Sequence, residues 1–273
     1  MRLTLACFLC VSLLATPSRA EPYHPAMTAE WWIHAGGYLA ARDFDASASA
    51  SIGGVTREID FERTLGLDDS PEIFMAELGW QFGENWGVAL QHFNSARSAS
   101  RVLDESFEWQ NNLYEVGVRL EASTGLDVTR IFLARRFGSS GPHSFRLGAG
   151  IHWLDLTATV AGQARVNDTM TEYRRSTASA SLPIPNVGAW YSYSPNDKWL
   201  IGVRADWLSA SVDDWSGEIW NVSGGVNYRL WDHIGVGARY QYFQLSGRLT
   251  EDNWRGKIRN AMTGPYLHVT VFW

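Results

Sequence analysis

The chain has 273 residues, a formal net charge of −6, and 14 Trp, 10 Tyr and 12 Phe. An acidic balance argues against a nucleic-acid-binding protein, because such proteins present a basic face to the phosphates. Mean hydropathy is −0.19, and no stretch after residue 20 approaches the roughly 20 apolar residues of a transmembrane helix. The composition therefore also excludes a helical membrane protein.

The first 20 residues have the pattern of a secretory signal peptide. Arg2 precedes an apolar run from Leu3 to Ala15, and Ser18-Arg19-Ala20 forms a small-x-small cleavage site. The run is too short to span a bilayer as a helix. We expect cleavage after Ala20, leaving a mature domain of residues 21–273.

Cleavage would change both the charge and the cysteine content. It leaves 21 basic and 29 acidic residues, a formal charge of −8. Cys7 and Cys10 both lie in the predicted signal peptide, so their Cys-x-x-Cys spacing predicts neither a redox nor a metal motif. The histidines lack tight metal-ligand spacing. We expect no cofactor and no metal.

Most of the remaining chain alternates between apolar and polar residues. A period of two is typical of β-strands with one apolar and one polar face. Ten segments show this pattern or a shorter form of it: 30–41, 73–83, 86–94, 114–137, 145–153, 187–193, 199–207, 220–230, 234–242 and 263–273.

Two regions leave the strand count open. Near Thr124-Gly125 the apolar residues change phase, which indicates either a bulge or a turn. The Arg42–Glu72 insertion fits an extracellular loop, an extra hairpin or a segment folded into a barrel mouth. A strand at Thr56–Glu62 together with a turn at Thr124-Gly125 would give twelve strands instead of ten.

The connections between segments alternate between short and long. Residues 83–85, 138–143, 195–197 and 231–233 form tight turns, and the connections between them are long and polar. Outer-membrane β-barrels have short periplasmic turns and long extracellular loops. The sequence predicts an all-β protein, a single closed antiparallel transmembrane barrel of about ten strands, with twelve or eight as alternatives.

The last strand carries a further signal. Leu267, Val269, Val271 and Trp273 share one face of an amphipathic strand that closes on an aromatic residue. It resembles the assembly signal of bacterial outer-membrane barrels, in which the assembly machinery reads the last strand.

A second element points to the same place. Ile59-Asp60-Phe61-Glu62, followed by Leu65-Gly66-Leu67-Asp68, resembles a largely uncharacterised family of small Gram-negative outer-membrane barrels. The resemblance implies the outer membrane as location and implies no substrate. The expected partners are outer-membrane lipid, lipopolysaccharide, the barrel assembly machinery and periplasmic chaperones, with the oligomeric state left open.

Charged residues on the strands fall opposite the apolar band, which predicts that they line the lumen. They are Glu77, Arg119, Glu121, Arg146, Arg204, Asp206, Arg229 and Arg239. A selectivity lining or an active site would also place charges there. We favour a lumen filled by ion pairs, because both signs are present and enclosed charges need partners.

Three function classes remain. A structural or surface-interaction barrel with a side-chain-filled lumen leads, a narrow channel for small solutes is second, and a lipid-modifying enzyme is third. His152, Asp206 and Ser209 are the nearest approach to a catalytic set, but they form no local signature. We therefore predict no catalytic residues.

Overall fold

The computed structural model of the protein describes residues 22–52, 55–60, 72–104, 106–109, 112–138, 141–166, 169–212, 215–251 and 254–273. The predicted signal peptide and residues 61–68 of the family element lie outside these ranges. No helix among the described residues is long and apolar enough to cross a membrane.

The described residues form one short 3-10 helix, Pro25–Met27, and fourteen strands. The strands are β1 (Trp31–Leu39), β2 (Ala41–Ile52), β3 (Val55–Asp60), β4 (Glu72–Phe82), β5 (Trp86–Val102), β6 (Phe107–Trp109), β7 (Asn112–Tyr114), β8 (Arg119–Phe137), β9 (His143–Val166), β10 (Thr169–Tyr193), β11 (Trp199–Val212), β12 (Trp215–Arg229), β13 (Ile234–Glu251) and β14 (Trp254–Phe272).

Ten of these strands close into an antiparallel barrel, as the sequence predicts. The order around the wall is β1, β4, β5 and then β8 to β14, and β14 pairs back onto β1. Trp31 and Trp273 exchange two backbone hydrogen bonds of 3.0 Å at this closure. Closure satisfies the edge strands, which would otherwise expose unpaired amides to lipid.

The Arg42–Glu72 insertion contains an extra hairpin. Strand β2 continues the direction of β1 and pairs with β14, from Ala41 opposite Thr263 to Ala50 opposite Trp254. Strand β3 then pairs with β2 and lies outside the ten-strand wall. Of the alternatives left open by the sequence, the described residues show the hairpin.

The two ends of the barrel differ. At one end, named the turn end, tight turns join the strands, and Gly83 and Gly138 adopt positive φ angles of 58° and 64° that favour glycine. At the other end, named the loop end, the strands continue far beyond the length that crosses a bilayer: β9 and β10 have 24 and 25 residues. Only about 9–11 residues are needed to cross a bilayer.

A band of apolar side chains surrounds the outer wall. Phe145 and Trp153 on β9, and Trp199 and Trp207 on β11, are exposed aromatic residues that mark its two edges. Each pair is eight residues apart, about 27 Å along a strand. With the usual strand tilt, this length suits a bilayer core bordered by two aromatic girdles.

The phase change at Thr124-Gly125 is neither a turn nor a bulge. Strand β8 pairs with β5 and β9 without a register shift along its length. Ile131 and Leu133 face outward within the apolar band, whereas Leu120 and Leu126 face inward nearer the loop end. Lipid covers the outer wall at the height of the first pair, and water covers it at the height of the second, so the apolar residues change sides. The twelve-strand alternative is therefore wrong.

The same reason explains why predicted loops are strands. Residues 157–181 and 248–262 fall in connections that were predicted to be long and polar, but the described part of each range belongs to β9, β10, β13 and β14. Their outer faces lie beyond the apolar band. A polar outer face is therefore compatible with a regular ladder there.

Deleting Trp273 should block assembly more than it destabilises the finished barrel, because the two terminal backbone hydrogen bonds to Trp31 that it removes contribute only about 1 kcal/mol each. Its side chain is 47% exposed, and substitutions near the membrane interface cost only about 0–1 kcal/mol. A large loss would therefore reflect recognition of the last strand. The measurement is the amount of protein in the outer membrane that migrates differently before and after boiling, with Trp273→Phe as control. Wild-type levels of the deletion variant would contradict this.

Candidate functional site in the barrel lumen

Five charged side chains meet inside the barrel between the two girdles. Glu77, Arg130, Arg204, Asp206 and Arg239, named the charge cluster, come from β4, β8, β11 and β13. Each lies on the inward side of a strand whose alternate residues face lipid. The strand period therefore delivers all five to one level of the lumen.

Asp206 holds two arginines. Arg204 donates from Nε and Nη2 to Asp206 Oδ2 at 2.8 and 2.5 Å, and Arg130 Nη2 donates to Oδ1 at 3.1 Å. Asp206 and Arg130 are fully buried. Gly188 on β10 leaves room for the carboxylate, since a Cβ there would lie 2.2 Å from Asp206 Oδ1.

Glu77 connects opposite walls of the barrel. Its Oε1 accepts from Arg204 Nη1 at 3.4 Å, and its Oε2 accepts from Arg239 Nη1 at 3.1 Å. Strands β4 and β11 are five places apart in the ten-strand order, so Glu77 and Arg204 meet across the full bore. His34 adds a contact, with its Nδ1 3.2 Å from Arg239 Nη2.

Aromatic faces compensate part of the excess positive charge. The cluster has three arginines and two carboxylates. Arg130 lies 4.2 Å above the Phe132 ring and 5.4 Å from that of Trp190, and Arg239 lies 5.9 Å from the ring of Tyr266. Cation–π contacts of this kind favour an enclosed guanidinium.

The structure separates the predicted lumen charges into three groups. Glu77, Arg204, Asp206 and Arg239 meet in the charge cluster. Arg146 and Arg229 lie nearer the turn end, where Arg146 Nη2 donates to Gln81 Oε1 at 2.9 Å and Arg229 pairs with Asp197.

Arg119 and Glu121 are a wrong prediction. Both are exposed on the outer face of β8, and Glu121 Oε2 accepts from Tyr173 Oη at 2.8 Å. The prediction assumed that polar residues face the lumen here, as they do within the membrane, but this stretch lies beyond the membrane. There the inward side belongs to Leu120 and Ala122.

Arg130 and His34 were not predicted to belong to this site. For Arg130 the sequence held the necessary information: because Ile131 and Leu133 face lipid, Arg130, an odd number of residues from each, must face the lumen. The phase change on β8 was left open between a bulge and a turn, so the inward position of Arg130 was not recognised. His34 stands in a strand interrupted by glycines, where alternation gives little guidance.

An apolar layer fills the bore on the loop-end side of the charge cluster. On most strands the next one or two inward residues after the cluster level are apolar and buried. The layer consists of Tyr38, Ala40, Ile73, Met75, Phe93, Leu126, Val128, Leu154, Ile219, Phe243, Leu245, Met262 and Tyr266. Phe93 and Phe243, from strands four places apart, meet edge to face with ring centroids at 5.9 Å.

A short segment packs into the lumen at the turn end. His24, which is fully buried, donates its backbone N–H to Ser194 Oγ at 2.8 Å, and its ring packs on Phe272. His24 Nδ1 accepts from the Ala26 amide at 3.2 Å, capping the 3-10 helix. Burial, reinforced by the nearby Arg229, lowers the pKa of His24 to about 4.

Among the described residues, no group of three or more His, Cys, Asp or Glu is placed to hold a metal ion. His152 is fully buried in the lumen, one inward position nearer the turn end than Leu154 of the apolar layer. It lies directly across the β8–β9 ladder from Arg130. The residue singled out as a possible catalytic histidine is thus part of the lumen packing.

Residues 6–263 match the outer membrane protein beta-barrel domain family. The chain belongs to this family. Membership places the barrel in a bacterial outer membrane, with the turn end toward the periplasm and the loop end toward the exterior. Among curated proteins, no sequence matches the chain.

One of two solved barrels compared with the chain supports the fold. The outer membrane protease OmpT from Escherichia coli aligns with a TM-score of 0.55 at 9% identity, over 89% of this chain and 97% of the protease. The translocator domain of the autotransporter NalP from Neisseria meningitidis aligns with a TM-score of 0.40 at 9% identity, over 87% and 89% of the two chains. At 9% identity the likeness to OmpT shows the fold alone.

Replacing Asp206 by Ala should destabilise the barrel by about 3–5 kcal/mol, because it leaves Arg130 and Arg204 enclosed without their carboxylate. Glu121→Ala removes a carboxylate on the exposed face of β8 and should change the free energy of unfolding by less than about 1 kcal/mol. Urea unfolding of both variants in lipid vesicles, followed by Trp fluorescence, measures the difference. Equal effects of the two changes would contradict the buried role of Asp206.

Acidification should release the segment around His24. Because its pKa is lower when docked than the ordinary 6.5, docking weakens as the pH falls from about 6.5 to 4. Opening should be about 20-fold more frequent at pH 5 than at pH 7. Hydrogen exchange at the amides of Met27 and Thr28, corrected for intrinsic rates, reports this opening. The control His24→Phe should lose the pH dependence, and an unchanged dependence would refute the explanation.

Proposed function

We propose that the protein is a closed outer-membrane barrel with a structural or surface-interaction role, which acts through its loop end and not as an open pore. The observation that carries this proposal is the double obstruction of the bore. The Glu77–Arg204 pair crosses it at one level, and the apolar layer fills it at the next. A ten-strand barrel is narrow enough for side chains to close it.

The loop end offers the surface for such a role. Strands β9 and β10 carry their ladder far beyond the apolar band, pairing from Tyr193–His143 to Thr169–Val166 with one register shift. The projecting outer face is polar, and Thr159 and Thr177 contact each other there through their hydroxyl oxygens at 2.9 Å. Lipopolysaccharide surrounds an outer-membrane protein at this height, and we propose it as a partner.

Biogenesis partners also belong to the proposal. The final strand closes the barrel against β1 and presents Leu267, Val269 and Trp273 outward. This face suits recognition by the barrel assembly machinery, after delivery by periplasmic chaperones. The Trp273 deletion described above tests that part separately.

The two other function classes are less well supported. A narrow channel for small solutes would need a continuous path past the charge cluster and the apolar layer. A lipid-modifying enzyme would need a nucleophile and a base together at the lipid-facing or loop-end surface, and His152 lies inside the packed lumen. The role that we propose is therefore non-catalytic.

Wild-type protein in planar lipid bilayers should show no stable porin-sized conductance. Phe243→Ala should produce new conductance, because it removes one half of the aromatic contact that spans the apolar layer. Phe74→Ala, on the outward face where Phe74 is 66% exposed, is the matched control and should leave the bilayer silent. Stable conductance from the wild-type barrel would overturn the closed lumen and favour the channel.

A further inference from the structure

A second set of arginines lies between the charge cluster and the periplasm. Arg136 and Arg146 are directly opposite each other on β8 and β9, both on the inward side. Like charges directly opposite on a ladder destabilise a sheet. Among the described residues, no ion pair joins either of them to a carboxylate, and Arg136 Nε and Nη2 are buried without a hydrogen-bond partner.

A cavity opens beside Arg146. It has a volume of about 110 Å³ and is lined by Arg146, Arg204 and Arg239 against a single carboxylate, Glu77. Glu77 already accepts from Arg204 and Arg239. Among the described residues Arg146 donates only to the neutral Gln81, and it therefore brings an uncompensated positive charge to the cavity.

Two further donors in the cavity wall have no partner. Ser144 lies one inward position from Arg146 on β9, is 4% exposed, and its Oγ makes no hydrogen bond among the described residues. Trp190, opposite Arg146 on β10, has a buried Nε1–H that is likewise unpartnered. A buried donor without an acceptor costs free energy, which an oxyanion in the cavity would recover.

From this geometry we propose that the cavity is a binding site for a small oxyanion, a phosphate or a short carboxylate. Arg146 supplies the charge, Ser144 Oγ and Trp190 Nε1 supply hydrogen bonds, and Arg136 adds positive potential from the adjacent strand. The volume is sufficient for inorganic phosphate or a short organic acid.

The ligand enters from the periplasm. Ala26 and Met27 of the 3-10 helix line the cavity, and the packed charge cluster and apolar layer lie on its other side. Occupancy from the loop end would require passage through both obstructions. The site thus goes beyond the proposed surface role: a barrel with a closed lumen can still bind a periplasmic anion.

The test measures thermal unfolding of the full-length mature barrel in neutral detergent at constant ionic strength, with phosphate, succinate or only chloride added. We expect phosphate or succinate to raise the unfolding temperature of the wild type. Arg146→Gln should lose at least about tenfold in affinity for the stabilising anion, in keeping with loss of one charge-assisted contact. Without anion it should unfold at or above the wild-type temperature, because the repulsion from Arg136 is gone.

Arg135→Gln provides the matched control. Arg135 is next to Arg136 on β8, faces outward, and carries the same charge as Arg146. It should keep the full response to the anion. No stabilisation of the wild type by either anion, equal stabilisation of Arg146→Gln, or loss of the response in Arg135→Gln would each overturn the proposal. The result is independent of conductance, so it can fail while the closed lumen stands.

Discussion

The ion pair between Glu77 and Arg204 is the contact on which the rest of the lumen depends. It joins strands on opposite walls and therefore spans the bore at this height. Arg239 and Asp206 extend it on each side, and Asp206 brings in Arg130. Two carboxylates shared among three arginines make each acid indispensable, because removing one leaves enclosed charge that no other described acid in the cluster can neutralise.

The surroundings of the wall change along the barrel axis, and the inside changes with them. Where lipid covers the outside, polar groups such as His34, Arg130 and Asp206 occupy the inside. Where water covers the outside, the inside holds an apolar layer that resembles the core of a soluble domain. One continuous strand, β8, shows both regimes: Leu133 faces lipid and Leu126 faces the interior.

This inversion explains how much the sequence could predict. The closed ten-strand barrel and four members of the charge cluster follow from alternation, because lipid imposes one rule on every wall position. Arg119 and Glu121 were misplaced because that rule holds only as far as the outer aromatic girdle. The alternation of residues does not show at which residue the girdle lies. The contact between Arg204 and Glu77 depends on the order of the strands around the barrel and on their stagger. The opposition of Arg136 and Arg146 depends on the register between β8 and β9. The residue pattern of a single strand contains no information on strand order, stagger or register.

A double-mutant cycle between Glu77 and Arg204 tests the crossing of the bore most directly. Glu77→Gln, Arg204→Met and the double variant would be compared by urea unfolding in lipid vesicles. Contact across the lumen predicts an interaction free energy above about 1 kcal/mol, whereas residues without contact add within about 0.5 kcal/mol. Additive effects of the two changes would contradict a lumen closed by this pair.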